Sequence, residues 1–174
     1  MNRSFTLIEL TVVIGIIALL TALILPNYKV GQRQFALQRS THKLSQDLRR
    51  AQEMAMSAKE TNGVSPRYGI ELEIAAQSYY IFSDANDNGK REPSDPIIER
   101  IEIEKKISID QLFVDDPPIS KNKIWITFKS PDPSTGIRGP GDPPGGYSVG
   151  AIRLIGGNST KTIQVNKAGL IYVE

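Results

Sequence analysis

The chain has 174 residues, with 21 Lys and Arg against 19 Asp and Glu, a single His and no Cys. Without cysteine there is no disulfide, no thiolate nucleophile and no cysteine metal centre, and one histidine, His42, leaves almost no material for a zinc site or a Ser-His-Asp triad. The formal charge of +2 divides unevenly: residues 27–60 carry seven Lys and Arg against three Asp and Glu, and residues 61–174 thirteen against fifteen. The C-terminal part is therefore net acidic, and strong nucleic-acid binding is not expected of it.

Residues 5–25, FTLIELTVVIGIIALLTALIL, hold one carboxylate, Glu9, and no other charge before Pro26. At about 1.5 Å per residue such a helix reaches about 31 Å, which matches a hydrocarbon core of about 30 Å. A secretory signal peptide has a shorter apolar run and ends at a small-x-small site, which Leu23-Ile24-Leu25-Pro26 is not. An ordinary single-pass anchor would explain the hydropathy, but it has no reason to hold an acid that costs about 3 kcal/mol in lipid if unpaired. Glu9 requires a partner.

Beyond Pro26 the helical pattern resumes, so the proline is expected to kink the helix without ending it. Leu37, Thr41, Leu44, Leu48, Ala51, Ala55 and Ala58 recur at spacings of three and four, one face of an amphipathic helix, with Arg33, Arg39, Lys43, Arg49 and Arg50 on the solvated side. His42 is read as a surface residue, and Met54 and Met56 as core filling. Gly63 and Pro66 close the segment, which places the membrane half of the helix at 5–26 and the amphipathic half at 27–62.

Strands follow. Residues 68–74 alternate apolar with charged, 78–83 repeat the trend, and the two are expected to form an antiparallel hairpin. Residues 97–103, 107–112 and 125–128 read as three more strands, with Glu102 and Glu104 as ordinary solvated carboxylates of one strand face and Trp125 as a core or sheet anchor. In 131–146, PDPSTGIRGPGDPPGG, ten of sixteen residues are Pro or Gly, which predicts a loop. Residues 148–155, 161–165 and 170–173 supply the last strands. One long helix followed by short strands gives an α+β class, with a β-rich head at 63–174 packed on the helical stripe.

Between the strands at Phe82 and Ile97, Asp84-Ala85-Asn86-Asp87-Asn88-Gly89 fits D-x-[DN]-x-[DN]-G, and the twelfth position is Asp95. Oxygen side chains of Asp84, Asn86, Asn88 and Asp95 have the spacing of a calcium loop, so calcium is the one cofactor considered. The competing reading is a plain turn, where Asp, Asn and Gly are favoured anyway. No Gly-rich phosphate loop follows a strand, no catalytic residue is assigned, and an enzyme is not expected.

The string Ser4-Phe5-Thr6-Leu7-Ile8-Glu9-Leu10, followed by the apolar run and Pro26, resembles the processing and anchoring motif of type IV pilins and type II secretion pseudopilins. The resemblance implies a pilin-like fold, a leader at 1–4 that is cut by a prepilin peptidase between Ser4 and Phe5, and methylation of the new amine. Ser4 stands where that family usually has Gly. It also implies a subunit stored in the inner membrane with its head on the periplasmic side, assembled through Phe5 and Glu9 by contact with other pseudopilins or pilins and with an inner-membrane assembly platform. Residues 44–57, 163–165 and 169–172 further resemble the H-type minor pseudopilins of type II secretion and the related FimT-type minor pilins. The alternative within the class is a minor type IV pilin serving pilus assembly, adhesion or DNA uptake.

Overall fold

One helix, α1 (Leu7–Ser57), runs for 51 residues and continues through position 26. The structure, a computed structural model, describes residues 6–58, 66–74, 76–115, 117–130 and 134–174, with the side chains of 25–29 excepted. The helix ends earlier than the Gly63 and Pro66 signals suggest, because Ala58 is already extended at φ −71 and ψ 125, while Ser57 turns its hydroxyl back onto the Glu53 carbonyl at 2.7 Å. Residues 59–65 lie outside the described residues.

The N-terminal part of α1 stands clear of the core. In the window Leu7–Ile24 none of the 18 residues is buried, and this is the one described helix long and apolar enough to cross a membrane. The second half carries the expected stripe: Leu37, Thr41, Leu44, Leu48, Ala51 and Ala55 are buried, and Arg33, Arg39, His42, Lys43, Arg49 and Arg50 are exposed. Each fully buried Leu contributes about 1.5–3 kcal/mol, and the alanines at the far end let the sheets approach the helix backbone. Met54 packs against this core, but Met56 is exposed, because it falls two residues round the helix from Met54 and faces solvent.

Ten strands follow among the described residues: β1 (Arg67–Glu73), β2 (Ser78–Asp84), β3 (Ile97–Glu102), β4 (Ser108–Val114), β5 (Ile119–Lys121), β6 (Lys123–Lys129), β7 (Ser134–Arg138), β8 (Val149–Gly156), β9 (Ser159–Asn166) and β10 (Ile171–Val173). They make two five-stranded antiparallel sheets, ordered β3-β2-β1-β6-β7 and β10-β9-β8-β4-β5. The expected hairpin of β1 and β2 is present, with Ile70 opposite Ile81. The helix packs on β1 and β6 of the first sheet and on β8, β9 and β10 of the second, so one stripe closes both inner faces. The architecture is α+β with a candidate membrane-spanning helix.

Two further expectations are corrected. The Pro/Gly-rich stretch is not all loop: β7 lies inside it, pairs with β6 from Trp125–Arg138 to Lys129–Ser134, and buries Thr135 and Ile137 while Ser134, Gly136 and Arg138 face outward. Its period of two is only five residues long and is flanked by prolines, which are tolerated there because β7 is an edge strand. Glu102 and Glu104 do not share a strand face either. β3 ends at Glu102, and Glu104 turns to the helix, where it pairs with Arg39.

Candidate functional site

The N-terminal region comes first. Thr6 is extended and caps α1: its hydroxyl oxygen accepts the Glu9 N–H at 3.3 Å, while Glu9 Oε2 accepts the Thr6 N–H and the Thr6 hydroxyl, both at 2.9 Å. This is a capping box, which satisfies two helix-end donors that would otherwise lack a partner within the helix. The Thr-x-x-Glu spacing before an apolar run announces it in the sequence. Ser4 and Phe5, the expected cleavage residues, lie outside the described residues.

The second candidate is the connection 85–96 between β2 and β3. Asp84, Asn86, Asn88 and Asp95 do come together, but around the backbone of the loop itself. Asp84 accepts the N–H groups of Asn88 at 3.2 Å and Gly89 at 2.7 Å. Asp95 accepts those of Ala85 at 3.1 Å and Glu92 at 2.7 Å. Asn86 and Asn88 each donate to the Glu92 carboxylate at 2.9 Å, which makes Glu92 a member that the motif spacing does not single out. Gly89 has φ +77, a conformation open to glycine at no steric cost. Buried carboxylates taking two backbone amides each are what turn a string of small polar residues into a fixed loop.

Basic side chains surround the loop. Arg67 Nε stands 2.9 Å from Asp87 and 3.9 Å from Asp84, and Lys129 pairs with Asp87. Among the described residues no group of three or more His, Cys, Asp or Glu side chains is arranged to hold a metal ion. The loop lies over the outer face of the first sheet. Arg91 reaches Glu71 at 3.0 Å and covers the Tyr80 ring at 5.0 Å, while Lys90 joins Asp142 at 2.7 Å. Glu71, only 4% exposed, also accepts the Trp125 indole N–H at 2.7 Å, so Trp125 is an anchor on the outer face of its sheet.

Asp142 receives Arg138 at 2.7 Å as well as Lys90. Burial pushes its carboxyl up, but the hydrogen bonds and charges of Lys90 and Arg138 outweigh that and hold it below the usual carboxylate range. Burial, and then the hydrogen bond to Asp47, push the Tyr79 phenol well above its usual range. That phenol is a fixed donor that ties β2 to the helix, with no accessible proton chemistry. A cleft of about 360 Å³ beside it is lined by Arg39, Lys43, Tyr79, Glu102, Glu104 and Leu154, and its Arg39 and Glu104 are spent on each other. No family model, curated protein or solved structure matches the chain.

Proposed function

We propose that the chain is a structural subunit of a pilin-like filament, a minor pseudopilin of type II secretion, stored in the inner membrane with its head on the periplasmic side and drawn into the filament through its N-terminal helix. One observation carries this reading: a single helix of 51 residues buries a stripe of its C-terminal part against its own head and leaves none of its first 18 residues, Leu7–Ile24, buried. Such a segment trades lipid for the helices of neighbouring subunits at little cost in apolar burial. The motif around Glu9 supports the same reading, since the prepilin peptidase and the assembly platform act on that region. The reading assigns no catalytic step.

The test is the mature N-terminus together with the contacts of the span. Protein extracted from membranes of cells with an active prepilin peptidase is expected to begin at Phe5 and to carry a methyl group on its amine, as read by mass spectrometry. Because the chain has no native cysteine, Ile17→Cys introduces a single one, expected to cross-link to the helices of other pseudopilins. An intact Met1 with no such cross-link would overturn the proposal.

A further inference from the structure

Four cations gather at the end of the head from which the apolar span departs. Arg33 is exposed on α1, about 14 Å along the helix beyond Ile24 at about 1.5 Å per residue. The turn between β8 and β9 sits beside it, because a Cβ on Gly157 would stand 3.3 Å from Arg33 Cδ, and one on Gly156 would meet the Leu37 Cβ at 3.2 Å. Ser108 pairs with Ile155, so the connection from β3 to β4 reaches the same level and carries Lys105 and Lys106 at its tip, both exposed. Lys161, exposed on β9 opposite Leu154, completes the group. None of the four forms an ion pair among the described residues, whereas the nearby Glu104 is already held by Arg39 and Glu174 accepts from Gln164. Glu102 is the remaining exposed acid at the end of β3.

We propose that this basic collar docks the head on anionic lipid headgroups. The inference rests on the membrane-anchored part of the proposed function and not on the filament. The covalent link decides in favour of a lipid surface over other polyanions. The span fixes Arg33 about 14 Å along the helix from the edge of the hydrocarbon layer, headgroups fill the first several ångströms of that gap, and the surface potential extends a further Debye length of about 8 Å. A Lys or Arg at an anionic surface strengthens attachment by up to about fivefold, and the gain decays over a Debye length. The docked head is the stored state, and withdrawal of the subunit from the membrane breaks it.

The full chain would be reconstituted in nanodiscs of phosphatidylcholine alone and of phosphatidylcholine with phosphatidylglycerol. Amide exchange at 104–107 and 157–160 is expected to slow about fivefold or more in the anionic discs only, and to return to the zwitterionic rate at high salt. The variant Lys105→Gln, Lys106→Asn, Lys161→Gln is expected to lose the slowing while melting like wild type. Asn is chosen at 106 because the backbone there has φ +76, which Asn tolerates. Equal exchange in both discs overturns the collar and leaves the anchor standing, whereas failure of the chain to enter discs overturns both. Slowing produced by added double-stranded DNA but not by anionic lipid would overturn the lipid assignment in favour of a nucleic acid.

Discussion

Asp84 holds the backbone of its own loop. Its carboxylate is 2% exposed, accepts two loop amides and lies near the Arg67 guanidinium, so removing it strands two N–H groups and a cation at once. Asp84→Ala is therefore expected to cost about 2–4 kcal/mol, and the same amount in calcium as in chelator, measured by thermal unfolding of the full chain in detergent. A loss that appears only in calcium would return the loop to the metal reading, since a cation bound to the native state stabilises it by mass action. The spacing of Asp84, Asn86, Asn88, Gly89 and Asp95 was legible as a loop with a forced turn at Gly89. That its oxygens serve amides was not, because a cation and a backbone N–H ask for the same side chains in the same order.

Among the elements, the helix was the most legible and the short edge strands β5 and β7 the least. Leu37 to Ala55 carry a stripe over five turns, a pattern no competing element imitates, whereas β5 has three residues and β7 five, too few for a period of two to stand out among prolines. The assignment of β3 and β4 to different sheets was not legible either, since both alternate alike and only the three-dimensional path of 103–107 separates them. The connection 85–96 and the turn after β7 are held together by Asp142, which joins Lys90 to Arg138. Its folded carboxyl titrates below its unfolded value, so the stabilisation is complete above the unfolded value, about pH 4, and disappears as pH falls through the lower, folded one. Asp142→Asn should melt below wild type at neutral pH, and the gap should close progressively as the pH drops under about 4. A gap that stayed constant down to the acid limit would mean that packing, and not the ion pairs, sets the contribution of this residue.

For the whole molecule, the proposed function turns on what would join one subunit to the next, and Glu9 has two roles to separate. Inside the chain it closes the capping box with Thr6. Between chains, the resemblance to type IV pilins implies a pairing of Glu9 with the amine of Phe5 on a neighbouring subunit. That pairing would recover much of the roughly 3 kcal/mol that an ionised acid costs in lipid. The two roles separate chemically, because Gln closes a capping box as Glu does but carries no charge. Glu9→Gln and Glu9→Ala should both insert in the membrane at least as well as wild type and leave the head folded, since the packed half of α1 begins near Ala36 and the box lies at its other end. If charge pairing recruits the subunit, both variants should be under-represented in filaments purified from cells that also express the wild-type partners. Incorporation of Glu9→Gln at the wild-type level, with Glu9→Ala impaired, would assign the acid to helix capping. Normal incorporation of both would leave Glu9 as a recognition element for processing alone.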